Sequence, residues 1–183
     1  MHSDELWQEY NAAGERLDSG RPPERGNPKL DEQVYVANAS IWLYRHTEQG
    51  IEVLFQKRSQ YVDRNANYFD RSAGGHINLG EKNIDAVIRE TKEEIGAKIS
   101  PENVYFIAST TSNHANIFFN VYACDYTNKS DDFHFDDREV SEVKWVALSE
   151  FDEFIEKYAK PPLRADKESN TLFKKWLEQR GNH

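Results

Sequence analysis

One stretch of the chain, residues 75–97 (GHINLGEKNIDAVIRETKEEIGA), constrains its fold more than any other. Its apolar residues recur at intervals of three and four, which is typical of a helix that buries one face. The apolar stripe consists of Ile84, Val87, Ile88, Thr91 and Ile95. Asn83 stands where an N-cap residue is expected, and Gly96 stands where a left-handed C-cap residue is expected. The pattern therefore predicts an amphipathic helix over residues 84–95 that packs on an apolar core.

A second face of this predicted helix carries Glu90, Glu93 and Glu94. These residues are three and four positions apart, so their side chains should converge, and like charges at such spacings destabilise a helix by roughly 0.2–0.5 kcal/mol per pair. One interpretation is a solvated acidic surface, because charge runs usually face water. The other is a site for a hard divalent cation, since Mg²⁺ binds one or two carboxylates together with the phosphate oxygens of a substrate.

The three glutamates belong to a longer set of spaced residues, which favours the metal-site interpretation. The set is Gly75, Glu81, Arg89, Glu90, Glu93, Glu94 and Gly96. It resembles the Nudix box at every spacing: Gly, five residues, Glu, seven residues, Arg-Glu, two residues, Glu-Glu, one residue, Gly. Thr91 and Ala97 depart from the usual residues of the box, but both positions concern packing rather than chemistry.

The resemblance implies an α/β fold, the Nudix-type α/β/α sandwich with a mixed β-sheet. It also implies an enzyme, a Nudix pyrophosphohydrolase. Such an enzyme hydrolyses a diphosphate linkage in a nucleoside diphosphate derivative or a related organic diphosphate, with Mg²⁺ or Mn²⁺ as cofactor. By analogy, Glu90 and Glu94 would be metal ligands, and Glu93 would be a further ligand or the general base. The backbone carbonyl of Gly74 would complete the metal site.

Two more box residues receive supporting roles from the resemblance. Arg89 would hold a glutamate in position, and Glu81 would support the loop or an outer metal. The residues to which the resemblance assigns catalytic roles are therefore Glu90, Glu93 and Arg89. In such a site, a metal-activated water attacks phosphorus while cations offset the charge on the departing phosphate.

The resemblance extends beyond the box to residues 6–17, 40–43 and 56–59. These segments are similar to the Nudix branch that includes isopentenyl-diphosphate isomerase. That isomerase uses a thiol just before the Gly75-His76 pair, where this chain has Gly74, and histidines near the first strand, where this chain has Val-Tyr-Val at 34–36. Isomerase-like activity and a non-catalytic diphosphate-binding module are therefore the alternatives to hydrolysis. A binding module would be expected to lose the carboxylates that this chain keeps.

The remaining sequence predicts a sheet flanked by helices. Runs rich in Val, Ile, Tyr and Trp predict strands at 34–45, 51–58, 104–109, 117–125 and 139–147. Residues 151–158 predict an amphipathic helix that begins with a capping box of Ser149 and Asp152 and ends before Pro161. A last helix should carry residues 172–177. This order predicts a mixed sheet with helices on both faces.

Lys57, Arg58 and Tyr68 are candidates for substrate binding. Lys57 and Arg58 end a predicted strand, where they would either mark the edge of the sheet or contact phosphate. Tyr68 belongs to a long loop, Ser59–Arg71, and long loops inside compact domains are often functional. The aromatic residues of this loop would either contact the substrate or attach the loop to the core.

Two further positions are candidates at the predicted site. Glu139, with Asp136 and Asp137, lies near the place where some Nudix proteins supply an additional carboxylate. Glu139 is therefore a further candidate for substrate binding. His76 follows the glycine pair and would either hydrogen-bond the loop or bind metal, as its counterpart does in the isomerase.

Composition limits the other possibilities. A length of 183 residues suits one domain, in which we expect residues 1–30 to form a hairpin or arm packed on a Nudix domain of residues 31–183. The net charge of −9 argues against a nucleic-acid partner, and the resemblance implies a small-molecule organic diphosphate as the ligand. Cys124 is the single cysteine, so no internal disulfide can form. No apolar run reaches membrane-spanning length, and the N-terminus lacks a basic segment followed by an apolar one, so we expect a cytoplasmic protein with no membrane partner and leave a homodimer open.

Overall fold

The computed structural model describes residues 6–21, 31, 33–112, 115–135 and 138–180. Within these residues the strands are β1 (Trp7–Tyr10), β2 (Arg16–Arg21), β3 (Tyr35–Thr47), β4 (Gly50–Arg58), β5 (Phe69–Asp70), β6 (Ala73–His76), β7 (Val104–Ser112), β8 (Ile117–Asp125) and β9 (Val140–Ala147). The helices are α1 (Asn83–Ile95), α2 (Phe151–Tyr158), α3 (Pro161–Ala165) and α4 (Lys167–Arg180). No helix in this described part of the chain is both long enough and apolar enough to cross a membrane.

Strand β3 is the centre of a mixed sheet. It pairs antiparallel with β1, β4 and β6, and parallel with β8. Strand β4 extends the sheet to β5 and β9, and β8 extends it to β7. The middle of β3 is apolar on both faces and fully buried, as expected for a strand covered on two sides. The mixed sheet predicted from the sequence is confirmed.

Helices cover both faces of this sheet. Helix α1 packs on the face that carries Ile41 and Leu43 of β3. On the opposite face, Trp42 contacts Phe151 of α2 and Phe173 of α4, with ring centroids 5.2 and 5.4 Å apart. The apolar faces of α2 and α4 are therefore buried against the far side of the sheet from α1. This arrangement confirms the α/β/α sandwich.

The N-terminal strands form a hairpin that widens the sheet. Strands β1 and β2 pair antiparallel, and Gly14 adopts φ 79° in the turn between them. The Oδ1 atom of Asn11 accepts hydrogen bonds from two backbone N–H groups of that turn, at 2.9 and 3.0 Å. Trp7 also forms a bridge to Asn78, which places the hairpin beside the loop before α1. Residues 22–30 lie outside the described residues, so a domain boundary at residue 30 stays a prediction.

The ends of α1 agree only in part with the sequence prediction. Gly96 adopts φ 71° and its N–H donates to the carbonyl of Lys92 at 3.0 Å, which confirms the left-handed C-cap. The predicted N-cap at Asn83 is wrong, because the helix begins at Asn83 itself and the cap position falls on Lys82. The Oδ1 atom of Asn83 instead accepts a hydrogen bond from Nη2 of Arg16, at 3.2 Å, and so ties the helix to the hairpin.

The C-terminal helices also begin differently from the prediction. No capping box forms at Ser149, because residues 148–150 make a 3₁₀ turn and α2 begins at Phe151. Asp152 pairs with Lys174 of α4 instead. Pro161 follows the end of α2 and also begins α3, since proline is tolerated in the first turn of a helix.

Candidate active site

A cleft of about 1070 Å³ lies where α2–α4 leave the sheet uncovered. Asn38 and Ser40 of β3 line it, since they share a face with Trp42 but lie past the part of β3 that the helices cover. Gly74 and Gly75 of β6 line the cleft beside them. The cleft therefore brings the central strand and the start of the spaced glutamate motif into one cavity.

Glu94 is held in this cleft by two hydrogen bonds to a single oxygen. Its Oε2 accepts from the backbone N–H of Gly74 at 2.8 Å and from Nε2 of Gln56 at 3.0 Å. Its Oε1 accepts no hydrogen bond from the described residues and remains available on the cleft side. Gln56 is buried and was not identified from the sequence. It orients the carboxylate while leaving one oxygen free.

Glu90 is held in the same way by Arg89. Its Oε1 accepts from Nη1 of Arg89 at 2.7 Å, and its Oε2 has no partner among the described residues. Arg89 also forms a two-point pair with Glu81, with distances of 2.9 and 3.0 Å, and donates to the carbonyl of His76 at 3.1 Å. The loop before α1, the glycine strand and the helix are thus tied together through one guanidinium group.

Glu93 differs from the other two glutamates in its surroundings. Its side chain is 59% exposed, and it pairs with Arg89 at 3.1 Å on the outer surface of α1. It does not line the cleft, whereas Glu90 and Glu94 do. The three glutamates therefore do not converge on one point, and a role for Glu93 as ligand or base stays a prediction without geometric support.

The two cleft glutamates resist ionisation together. Burial raises the pKa of Glu90 to about 7, although the neighbouring Arg89 favours its charged form. Burial, followed by the nearby negative charge of Glu90, raises the pKa of Glu94 to about 8. Glu139 adds negative charge near Glu90, and Asp70 adds negative charge near Glu94. A cation placed between these carboxylates would relieve this unfavourable concentration of charge.

The two cleft glutamates suit a hard divalent cation whose other ligands are water or the substrate. No three His, Cys, Asp or Glu side chains within those residues are arranged to hold a metal ion on their own. Mg²⁺ does not require three, since it commonly binds one or two carboxylates and completes its shell with water and phosphate oxygens. The free Oε2 of Glu90 and the free Oε1 of Glu94 supply such a pair, and the backbone of Gly74, whose N–H donates to Glu94, lies next to Glu94. The oxygen-only donor set fits Mg²⁺ or Mn²⁺.

The glycine pair leaves no room for side chains, for two different reasons. A Cβ atom on Gly75 would lie 2.1 Å from Oε1 of Glu90, which is the movable end of a side chain. A Cβ atom on Gly74 would lie 2.6 Å from Cβ of Ser40 and 2.9 Å from the carbonyl oxygen of Ala39, on the neighbouring strand. Gly75 thus makes space for a carboxylate, and Gly74 makes space for strand pairing.

We therefore expect alanine at these two positions to have different effects. Gly75→Ala should displace the Glu90 carboxylate and lower turnover about 100-fold, because a misplacement near 1 Å can cost that much, while the melting temperature changes little. Gly74→Ala should lower the free energy of unfolding by about 1–3 kcal/mol through overpacking against β3. Phosphate release and thermal melts of both variants measure this contrast. A Gly75→Ala protein with wild-type turnover would contradict the placement of Glu90 in the site.

A further part of the cleft lining consists of ion pairs. Arg58 and Lys160 pair with Asp70, and Arg71 donates to Asp166 at 2.6 Å. The prediction that Arg58 lies near the substrate site is thus consistent with its position. The sequence reasoning missed Lys160 and Arg71. Lys160 reaches the cleft because its backbone N–H donates to the carbonyl of Phe69 at 2.9 Å, a long-range contact with no local sequence signal.

Two predicted substrate contacts lie outside the cleft. Lys57 pairs with Glu142 at 3.5 Å on the neighbouring strand, so its charge is directed along the sheet. Tyr68 lies under the guanidinium group of Arg164, 5.7 Å from it. Phe69, which the sequence placed in this loop, instead belongs to β5 and is buried in the core, and Tyr61 is 69% exposed. The aromatic residues of this loop therefore do not form the wall of the cleft, and we leave Lys57 and Tyr68 out of the proposed site.

Carboxylates and aromatic rings reach the cleft from other parts of the chain. Glu139 lines it, as expected, but Asp136 and Asp137 lie outside the described residues.

Trp7 from the hairpin stacks on His76, with ring centroids 3.6 Å apart and planes 7° from parallel, and both rings line the cleft. Burial lowers the pKa of His76 to about 4, so its ring is uncharged at neutral pH. His76 is therefore a stacking partner in this structure.

Comparison with known proteins agrees with this fold. The NUDIX domain family matches residues 34–167. Nudix hydrolase 3 of Arabidopsis thaliana is 27% identical over 85% of this chain, which spans only 21% of that relative's length.

Solved structures add a likeness of fold. A Deinococcus radiodurans protein, DR0079, has a TM-score of 0.66 at 22% identity, over 87% of this chain and 95% of that one. The NUDIX domain of Shewanella oneidensis NrtR, solved with ADP ribose, has a TM-score of 0.61 at 14% identity, over 85% of this chain and 94% of that one.

Proposed function

The chain belongs to the NUDIX domain family, and on that premise we propose that it hydrolyses a diphosphate linkage in a nucleoside diphosphate derivative or a related organic diphosphate, with Mg²⁺ or Mn²⁺. The observation that carries this proposal is that the carboxylates of Glu90 and Glu94 have the same pattern of hydrogen bonds. Each carboxylate has one oxygen fixed by hydrogen bonds and one oxygen free toward the same cleft. Two partly buried carboxylates, each with one oxygen that accepts no hydrogen bond from the described residues, suit a cation site better than a solvated helix face.

Specific residues would take specific parts in this reaction. Glu90, Glu94 and the carbonyl of Gly74 would hold the metal, which when bound offsets phosphate charge and lowers the pKa of a coordinated water. Arg89 holds Glu90 in position, and Gln56 holds Glu94. Glu139 lines the cleft near Glu90 and is better placed than the outward-facing Glu93 to accept a proton from water.

The cations of the Asp70 ion pairs would contact the substrate's phosphates. Arg58 and Lys160 both pair with the carboxylate of Asp70, so two cationic groups face one carboxylate at this point of the cleft. In a protein of net charge −9, whose cleft is lined by both cationic and acidic side chains, a cation bound by Glu90 and Glu94 would supply the further positive charge that an anionic substrate needs. NrtR, a protein of similar fold, binds ADP ribose, which is a compound of the proposed class.

We also infer that the chain lies in the Nudix branch that resembles isopentenyl-diphosphate isomerase but lacks its thiol chemistry. Gly74 occupies the position of the required thiol, and a Cβ atom added there would collide with Ser40 of β3. Cys124 is buried in β8 and does not line the cleft, and burial raises the pKa of its thiol to about 12. Hydrolysis is therefore better supported than isomerisation.

A substrate screen tests the proposal. Nucleoside diphosphate derivatives, dinucleotide polyphosphates and prenyl diphosphates are incubated with Mg²⁺, and phosphate products are measured with and without a chelator. We expect metal-dependent release from at least one nucleoside diphosphate derivative. Conversion of isopentenyl diphosphate to dimethylallyl diphosphate would instead support the isomerase, and tight binding without any turnover would support a non-catalytic module.

A further inference from the structure

The two ends of the cleft have different chemistry. One end contains the ion pairs of Arg58, Arg71 and Lys160, and the glutamates of α1 lie between the two ends. At the other end, strand register places Asn38 of β3 beside His76 of β6 and Phe119 of β8. The described residues that line this second end carry aromatic, amide, hydroxyl or aliphatic side chains, and none of them is Asp, Glu, Lys or Arg. A phosphate group would find partners at the first end, and an uncharged ring would find them at the second.

The uncharged end is built around Trp7. Its indole stacks on His76 at 3.6 Å, and its backbone bridges Asn78, so the ring is fixed by both side-chain and main-chain contacts. Trp7 points to the cleft because its neighbour Gln8 points to the opposite face, where it is buried and donates to the carbonyl of Leu17 at 2.7 Å. The hairpin is therefore held so that a large aromatic surface lines the substrate cavity.

Resting on the proposed function, we propose that Trp7 and His76 form the subsite for the organic group of the substrate, and that this group is a nucleobase. Every nucleobase has a flat face that can stack on an aromatic side chain, and this stacking increases the binding affinity. The amides of Asn38 and Asn78, with the hydroxyl groups of Thr110 and Ser112, supply both donors and acceptors for the polar edges of a base or ribose. A prenyl chain would leave these polar groups unpaired, which disfavours it.

The test compares two probes that differ only by the nucleoside. The phosphorus–carbon bridges of α,β-methylene-ADP and methylenediphosphonate resist hydrolysis, so both can be measured by calorimetry in Mg²⁺ without turnover. We expect the wild-type protein to bind the nucleotide at least about tenfold more tightly than the diphosphonate. Trp7→Leu, which keeps bulk but removes the ring, should bring that ratio close to one. Trp7→Phe, which keeps a ring, should retain most of it.

Controls separate this subsite from the rest of the protein. Methylenediphosphonate should bind equally to wild type and Trp7→Leu, which shows that the metal site is intact. Trp176→Phe, which alters a ring packed on Tyr44 and Tyr105 outside the cleft, should keep the wild-type ratio. Nucleotide binding should also quench the indole fluorescence of wild type and of Trp176→Phe, and quench Trp7→Phe much less.

The outcomes distinguish the inference from the function on which it rests. If the two probes bind wild type equally, or if Trp7→Leu and Trp7→Phe have the same ratio, the subsite is wrong while diphosphate hydrolysis can still stand. If neither probe binds in Mg²⁺, both the hydrolase proposal and the subsite are wrong. If both variants lose the diphosphonate as well, Trp7 supports the fold and is not a subsite residue.

Discussion

Glu94→Gln should lower turnover by about 10³-fold or more while leaving the fold intact. The substitution keeps the size of the side chain and keeps an oxygen that can accept from Gly74 and Gln56, as the carboxylate does at 2.8 and 3.0 Å. It removes the negative charge from the free atom of Glu94 that faces the cleft. Because a metal contributes several kcal/mol to a hydrolytic transition state, and each 1.36 kcal/mol is tenfold in rate, loss of its ligand has an effect of this size.

Phosphate release from a confirmed substrate measures this effect, with thermal melts to check the fold. Glu93→Gln is the matched control, because it removes the same charge one position earlier on α1, from a side chain that faces outward. We expect Glu93→Gln to retain turnover within about tenfold. Near wild-type activity in Glu94→Gln would show that the site has been assigned to the wrong residues.

The prediction from local sequence spacing was most complete for α1. The apolar stripe, the left-handed Gly96 and the position of the box follow from intervals of three and four residues, which a helix converts directly into faces. The spacing did not predict which of the three glutamates face the cleft, because Glu90, Glu93 and Glu94 all lie three or four positions apart or adjacent on the same helix. Contacts that are distant in the chain fix the two inward carboxylates: Glu94 accepts hydrogen bonds from Gly74 and Gln56, and Glu90 lies against Gly75.

Long-range contacts explain the residues that were missed. Trp7 enters the cleft because the hairpin adds to the sheet beside β3, and Lys160 enters because the segment after α2 pairs with Phe69. Neither contact has a sequence signal, since the partners are distant in the chain. For the loop 59–71, the sequence suggested too many contacts with the cleft rather than too few. Its aromatic residues suggested a substrate wall, but Phe69 is used by the core and Tyr68 packs with Arg164.

Metal should stabilise the folded protein through the same two carboxylates. Because the pKa values of Glu90 and Glu94 are raised to about 7 and 8 from the ordinary 4.5, protonation of either residue favours the folded state. Their contribution to stability is complete below pH 4.5 and is lost as the pH rises through 7 and 8. The metal-free protein should therefore be penalised most above pH 8, where both groups are charged, and a bound cation should help most there.

The expected size of the metal effect is about 2.7 kcal/mol at a metal concentration of about 100 times Kd. For a domain of this length, that corresponds to a rise in melting temperature of roughly 5–10 °C. Replacing both charges with amides should mimic the benefit of the cation and abolish its effect. The double variant Glu90→Gln/Glu94→Gln should then melt at or above the metal-free wild type.

The most direct test is a set of thermal melts at pH 8.5, in chelator and in millimolar Mg²⁺ or Mn²⁺, on wild type and on Glu90→Gln/Glu94→Gln. The same melts at pH 5.5 should show a smaller metal effect in wild type, because both carboxylates are then largely protonated. We expect a clear metal-induced rise in wild type at pH 8.5 and little or none in the double variant. Equal rises in the two proteins would mean that the ion binds elsewhere, and would contradict the assignment of the Glu90–Glu94 pair as the metal centre.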